Sequence, residues 1–337
     1  MNKTPQPILI LLGSIFGLAS FPLLHAQDSV ATDPVGYKTV TIKGDNGLNI
    51  IGIEFLEPPE YSGPVSNFGN NTVTVAGTDF DALLDEGTPY FLEVASGDNE
   101  GLSTSIVDWS NDTLTLGDDL SAFTYDENDT VRVHRLLTIE EVFGEGGDVL
   151  EGGFPIDADL VLIPNPNGEG LNRYYYSTGG FAGTGWRQVG ESGDKSDVPI
   201  YYSDGLYVFK RSAGDVDLVV SGTVKITSSD VVVEEGFTPF STIYPSGTTL
   251  GNSGLYDPNN LSQSIESGFP TTADLVLTDS NGDGSLERYY YSAGGFAGEG
   301  WRQVGESGDK SSVSLASGFA IFKRSNSVVV KRDPSFN

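Results

Sequence analysis

Two nearly identical segments carry most of the residues in this chain whose types suit ligand binding. Residues 173–196 and 288–311 differ only where Thr178 corresponds to Ala293 and Thr184 corresponds to Glu299. Aromatic rings beside arginine are suited to stacking on sugar rings and to pairing with uronate or sulfate groups. The candidate ligand-binding residues are Tyr175, Trp186, Arg187 and Tyr207 in the first copy, and Tyr290, Trp301 and Arg302 in the second.

A structural interpretation competes with this one. Aromatic residues in alternating strands are core residues by default, so Trp186 and the tyrosines are expected to fill a small β core. The cations of the repeated block then bridge to Glu191, Asp194 and their copies. Of the two interpretations, we favour the structural one, in which these aromatic residues pack in the core.

Comparing the strand LYVFKR at 206–211 with its copy FAIFKR at 319–324 separates the two faces of the strand. The positions of Leu206 and Val208 stay large and apolar in both copies, which predicts that they face the core. Tyr207 is replaced by Ala320, so we expect Tyr207 to be exposed.

The turn DSNGDGSLE at 279–287 has a spacing of oxygen-bearing side chains that suits Ca²⁺, and Gly284 permits the sharp bend. The candidate metal ligands are Asp279, Asn281, Asp283, Ser285 and Glu287. Position twelve of the turn is Tyr290 rather than a bidentate glutamate, and the matching turn of the first copy, PNPNGEG, cannot chelate. A hydrophilic hairpin turn without an ion is therefore the alternative.

Histidine and cysteine are too scarce for most catalytic and metal sites. The chain has no cysteine and two histidines, of which only His134 lies beyond residue 26. Sites for zinc, iron–sulfur clusters and haem that need several such ligands are excluded, and no catalytic residue is assigned. Hydrolysis by a carboxylate pair stays open because 47 acidic residues supply many pairs. Apart from Ca²⁺, no cofactor is expected.

The N-terminus and the charge indicate where the chain acts. Residues 1–26 have the layout of a cleavable export signal, and residues 27–37 read as a polar leader. No later segment is apolar enough to span a bilayer. The net charge of −29 makes nucleic acid and anionic membranes poor partners. We expect a secreted, extracellular or cell-surface protein, with the periplasm as a further compartment.

Short β-rich runs separated by Gly, Asn, Asp and Pro predict an all-β fold. We expect an antiparallel N-terminal β domain at 38–136, followed by two tandem copies of a small sandwich-like or barrel-like module at 137–222 and 223–333. The stretches 78–87 and 137–144 are candidates for short helical turns.

The chain carries several further short motifs. They are DPVGY at 33–37, LEVASG at 92–97, TLTL at 113–116 and the T-I-x-x-V-F pattern of 138–143, followed by the YYY, W and FKR blocks. In these motifs the chain resembles a family of exported, uncharacterised β-rich proteins of Verrucomicrobia-type bacteria. The resemblance implies secretion and carries no assigned activity.

Together these features predict an exported, non-catalytic protein with a structural or adhesive role. Its expected partners are polysaccharide or cell-envelope components, with glycan contact through the repeated block. The alternative is a polysaccharide-active enzyme, or its carbohydrate-binding accessory, that uses carboxylates. The oligomeric state is left open.

Overall fold

The alternating runs form antiparallel sheets in the computed structural model, which describes residues 33–123, 125–126, 129–146, 148–165, 170–245 and 247–334. The predicted all-β class is confirmed, because the two α-helices contain only four and five residues. No helix within these ranges is long and apolar enough to cross a bilayer. The predicted export signal, and the predicted leader up to residue 32, lie outside the described residues.

Three strands come first in the chain. They are β1 (Val35–Ile42), β2 (Gly47–Gly52) and β3 (Phe55–Leu56). The predicted leader runs to residue 37, but β1 already begins at Val35. The reason is that a later strand supplies pairing partners for every residue from Val35 onward.

A seven-stranded sheet follows, in the order β4-β10-β7-β8-β9-β6-β5. Its elements are β4 (Pro59–Pro64), β5 (Asn67–Phe68), β6 (Thr72–Thr74), α1 (Phe80–Leu83), β7 (Tyr90–Val94), β8 (Ser103–Ser110), β9 (Thr113–Leu116) and β10 (Thr130–Arg135). Alternating residues such as Val131 and Val133 point into its core. The helix predicted at 78–87 is a single turn, because Leu84 is already extended, with φ −108 and ψ 142.

The first copy of the repeated block forms two antiparallel strands, and the strand before them extends the pair to a three-stranded meander. The elements after β10 are β11 (Leu137–Thr138), α2 (Ile139–Phe143), β12 (Leu160–Pro164), β13 (Leu171–Thr178), β14 (Thr184–Gln188), β15 (Pro199–Ile200), β16 (Gly205–Lys210) and β17 (Val216–Val224). A capping box between Thr138 and Glu141 begins α2. The register places Tyr176 opposite Trp186.

The second copy folds in the same way. Its strands are β18 (Ser229–Val233), β19 (Gly236–Ser241), β20 (Leu275–Thr278), β21 (Glu287–Ala293), β22 (Glu299–Gln303), β23 (Gly318–Lys323) and β24 (Val328–Arg332). Tyr291 lies opposite Trp301, which matches the register of the first copy.

The two copies build sheets with the same strand order. The first repeat sheet is β14-β13-β12-β16-β2 and the second repeat sheet is β22-β21-β20-β23-β19. Likewise, β1 pairs with β17 and β18 pairs with β24. In the second copy, no other sheet is formed by the chain between the edge strand β19 and β20. In the first copy, the residues between β2 and β12 include the whole seven-stranded sheet. The predicted segments 38–136 and 137–222 therefore share strand pairs.

Glycines let the two repeat sheets approach closely. A Cβ placed on Gly318 of β23 would lie 2.5 Å from the backbone nitrogen of Ile51 in β2. A Cβ on Gly52 would lie 2.2 Å from the carbonyl oxygen of Ser317. Both distances are far below van der Waals contact, so these positions of the strands require glycine.

Tyr207 is buried at this contact, so the prediction that it is exposed is wrong. It packs in one apolar cluster with Ile50 of its own sheet and Ala320 of the second repeat sheet. Phe237 of β19 covers it, with ring centroids 6.2 Å apart. The exchange of Tyr207 for Ala320 does not mark a solvent face, because the two residues belong to the same cluster, where a large side chain complements a small one.

Candidate functional site

The predicted aromatic platform lies in the interior. Tyr175, Tyr290, Trp186 and Trp301 are all buried. Trp186 Nε1 donates a hydrogen bond to the carbonyl oxygen of Gly144 at 3.0 Å, which satisfies its only polar atom. Stacking on a sugar needs an exposed ring face, which none of these residues offers. Their burial matches the structural interpretation of the repeated block.

Arg187 holds the loop between β13 and β14. Its Nε donates to the carbonyl oxygen of Ala182 at 2.8 Å, and its Nη2 donates to that of Thr184 at 2.9 Å. Its Nη1 donates to the carbonyl oxygen of Trp186 and to Asp194 Oδ1, both at 2.7 Å. The planar array of five N–H donors in arginine makes such a four-point clamp available to one side chain.

Arg302 repeats the clamp in the second copy. Its Nε and Nη2 donate to the carbonyl oxygens of Ala297 and Glu299, both at 2.8 Å. Its Nη1 donates to the carbonyl oxygen of Trp301 at 2.9 Å and to Asp309 Oδ1 at 3.3 Å. Both arginines are therefore committed to holding a loop.

The polar stretch after each clamp carries the other ion pairs that the structural interpretation predicts. Lys195 Nζ lies 2.9 Å from Glu191 Oε2, and Lys310 Nζ lies 2.7 Å from Glu306 Oε2. These pairs are partly exposed and contribute little to stability by themselves. They order the surface around the two clamps.

Each clamped loop presents one phenylalanine to solvent. We call residues 179–184 and 294–299 the phenylalanine loops. Phe181 and Phe296 have relative exposures of 110% and 111%, the highest among the described large apolar residues. Each lies in a 3-10 turn, and Gly183 closes the first turn with φ 74, which only glycine adopts without cost.

A second phenylalanine is exposed at the matched position of each copy. Phe154 and Phe269 are 64% and 63% exposed. Phe154 Cε1 would lie 3.6 Å from a Cβ on Gly180, so its ring borders the first phenylalanine loop. None of these phenylalanines was among the predicted ligand-binding residues. The available signal was that GGFAG keeps its phenylalanine in both copies although the turn itself requires only the glycines.

Tyr207 lies away from the repeated block, at the bottom of a groove. It lines an open groove of about 900 Å³ together with Phe237, Leu162 and Leu171. Trp186 packs in a separate core cluster. The structure therefore does not bring the predicted ligand-binding residues of the first copy together into one site.

The predicted calcium turn is held by its own side chains. Asp279 Oδ1 and Oδ2 accept the backbone N–H groups of Asp283 and Gly284 at 3.0 and 2.8 Å. Asn281 Nδ2 donates to Glu287 Oε1 at 2.5 Å. Among the described residues, no three or more His, Cys, Asp or Glu side chains are grouped so as to hold a metal ion. Calcium binding by this turn, including Ser285, stays a prediction.

A cavity of about 330 Å³ is lined by residues of the seven-stranded sheet and of both copies, among them Asp118, Asp204 and Asp230. Burial raises the pKa of Asp204 to about 6 and also raises the pKa of Asp230. The Oδ1 atom of Asp230 has no hydrogen-bond partner among the described residues. Carboxyl groups with a raised pKa inside a cavity are candidates for proton transfer. Sequence alone could not single them out among the many acidic residues.

Comparison with known proteins gives no relative from which a function could be carried over. No protein-family model, no curated protein and no solved structure matches the chain.

Proposed function

We propose that this chain is an exported, non-catalytic protein with a structural or adhesive role, and that it contacts its partner through the two phenylalanine loops. The observation that carries the proposal is the pair of fully exposed rings, Phe181 and Phe296, each held by the same arginine clamp. Exposed apolar rings are typical of binding surfaces, and here they occur at two equivalent positions.

The clamps make these rings suitable for binding. A loop fixed by several hydrogen bonds from one guanidinium loses little conformational freedom when a partner binds. Two equivalent loops on one chain also make the second contact intramolecular, so weak contacts add up to strong retention on a repetitive surface. A repetitive polymer or a cell envelope offers such a surface.

The charge of the chain narrows the class of partner. With a net charge of −29, the chain is repelled by anionic polymers unless local cations compensate. The cations nearest to the phenylalanine loops, Arg187 and Arg302, already donate to carbonyl and carboxylate oxygens. We therefore assign an uncharged polysaccharide or an uncharged component of the cell envelope as the partner, with the rings covering the C–H faces of sugars.

Retention on insoluble uncharged polysaccharides and on isolated cell envelopes tests this function. We expect Phe181→Ala and Phe296→Ala each to weaken retention, and the double variant to lose more than the two single effects combined. Phe123→Ala, which removes an exposed phenylalanine elsewhere, is the matched control. Retention of the double variant at the level of the unaltered chain would contradict the proposal.

A second candidate function is hydrolysis of polysaccharide in the cavity that contains Asp204. The raised pKa of Asp204, together with Asp118 and Asp230 in the same cavity, favours it, because glycosidic bonds are cleaved by pairs of carboxyl groups of which the acid has a raised pKa. Reducing-end release from a panel of polysaccharides would reveal the activity. Release that persists unchanged in Asp204→Asn would exclude this cavity as its source.

A further inference from the structure

A buried polar cluster joins the seven-stranded sheet to the segment that links the two copies. Glu93 lies on β7 and His134 on the adjacent strand β10. Lys225 and Thr227 follow directly after β17. The side chains of Glu93, Lys225 and His134 have relative exposures of 0%, 1% and 1%. Charged groups with so little access to water are stable only when they are paired and hydrogen-bonded. The chemistry of this cluster therefore depends on which atoms carry the protons.

Glu93 receives two side-chain donors on one carboxylate oxygen, and its other oxygen faces the imidazole of His134. Lys225 Nζ and Thr227 Oγ1 both donate to Oε1. His134 Nδ1 lies 2.9 Å from the carbonyl oxygen of Glu57, which can only accept, so Nδ1 carries a hydrogen. His134 Nε2 faces Glu93 Oε2 at 3.4 Å. Since neither of these two atoms has another partner among the described residues, the contact is favourable only with a proton between them.

The buried pair of Lys323 and Asp274 is built differently. Asp274 Oδ2 accepts Lys323 Nζ at 3.0 Å, and its two oxygens also accept the backbone N–H groups of Glu266 and Arg324 at 2.7 and 2.8 Å. Backbone donors of this kind stabilise a carboxylate as an ion. Within the described residues, no backbone N–H donates to Glu93. Burial opposes its ionisation, but the imidazole of His134, the amine of Lys225 and the hydroxyl of Thr227 together lower its pKa to about 2, so Glu93 begins as a carboxylate.

We propose that Lys225 and Glu93 condense to an isopeptide bond. Nζ passes one proton to Oε1 and attacks Cδ of the carboxyl group. The negative charge that develops on Oε2 is held by the N–H of His134 Nε2, as in an oxyanion hole. A second proton passes from Nζ to Oε1 with help from Thr227, and Oε1 leaves as water. One C–N bond forms, one C–O bond breaks, and no oxidant or external base takes part.

The surroundings favour this condensation in two ways. Burial lowers the pKa of Lys225, which makes the neutral, nucleophilic amine accessible. The product replaces two buried charges with one neutral amide, and the exclusion of water opposes its hydrolysis. In a chain without cysteine, such a bond would covalently join two residues that are 132 positions apart.

The mass of the intact chain under denaturing conditions tests the bond, once the N-terminal residue has been fixed by sequencing. We expect a mass lower than that of the sequence by one water molecule, and a proteolytic peptide that joins the segments around residues 93 and 225. Peptides that carry Lys323 should be recovered free, as an internal control. A full sequence mass with free peptides at both positions would overturn the proposal, and this outcome does not depend on any variant folding.

Variants identify the reacting groups. Lys225→Met should restore the full mass. Glu93→Gln should lose one ammonia in place of one water, because the leaving group changes while the amide product is the same. His134→Ala should slow the loss without changing its size. Loss of one water from Lys225→Met would show that another pair of residues reacts and would exclude the assignment.

Discussion

Arg187 and Arg302 illustrate how one residue type can set the shape of a surface loop. In an acidic chain, an arginine beside aromatic residues suggested recognition of an anion. Each guanidinium instead donates to three carbonyl oxygens and one aspartate of its own copy. The functional consequence is indirect, because the donors of the arginine are used within the chain and fix the loop that carries a neighbouring phenylalanine. Sequence can supply the residue type, but it does not reveal which of its possible partners the donors will find.

The raised pKa of Asp204 predicts a pH-dependent contribution to stability at the residue scale. The folded chain holds the Asp204 proton up to about pH 6, whereas the unfolded chain releases it near 3.8. The free energy of unfolding therefore falls as pH rises between these values, because the folded state binds more protons. We expect Asp204→Asn to melt about 1–3 °C above the unaltered chain at pH 7.5 and at the same temperature at pH 3.5.

Asp215→Asn is the matched control for Asp204. Its carboxyl group accepts from Lys43 Nζ, which lowers its pKa, so its ionised form favours the folded state. The same substitution at Asp215 should give no stabilisation at neutral pH. Equal shifts in both variants would show that the loss of overall negative charge, and not the burial of Asp204, is responsible.

At the scale of strands, hydrophobic alternation located the hairpins of the repeated block. The RYYYS and WRQ runs form β13 and β14, and Leu206 and Val208 are buried as expected. Alternation says which side of a strand is apolar, but not whether the opposite side meets water or a second sheet. That ambiguity explains the error on Tyr207, which a single strand pattern cannot resolve. The partnership of β2 with β16 was equally invisible, because pairing at such a separation leaves no local signal.

The contact between the two repeat sheets predicts that Gly318 tolerates no side chain. A methyl group there would meet backbone atoms of Ile51, which cannot move aside as a flexible side chain can. Overpacking of this kind costs about 1–3 kcal/mol, so we expect Gly318→Ala to lower the urea midpoint clearly. Gly153→Ala is the control, since its Cβ would have no neighbour closer than 3.6 Å. Equal midpoints for the two variants would mean that the sheets separate easily.

The turn at 279–287 gives a prediction that separates calcium binding from a plain hairpin. If Asp279, Asn281 and Asp283 bind Ca²⁺, millimolar CaCl₂ should raise the melting temperature and chelator should reverse the shift. MgCl₂ at equal ionic strength controls for screening, and Asp283→Asn should abolish the effect. Identical shifts with both salts would assign the turn to the hairpin alternative.

At the scale of the whole molecule, the net charge of −29 predicts that salt stabilises the fold. Raising NaCl from 0.1 M to 1 M shortens the screening length from about 10 Å to about 3 Å, which weakens repulsion between surface carboxylates. We expect the melting temperature to rise by a few degrees at pH 7.5. The rise should shrink near pH 4, where many carboxylates are protonated. A fall with added salt at pH 7.5 would show that surface ion pairs outweigh repulsion.

The separation of β2 from β16 has a consequence for the order in which the chain acquires its structure. Synthesis delivers residues 47–52 early, but their partners at 205–210 only after the entire seven-stranded sheet. All strands of that sheet lie within residues 59–135, so the sheet can form before the partners of β1 and β2 have been synthesised. During this interval β1 and β2 remain unpaired, and unpaired strands expose a nascent chain to aggregation. The second copy shortens the delay, because Ser241 of β19 and its partner Gly318 of β23 are about half as far apart in sequence as Gly52 and Gly205.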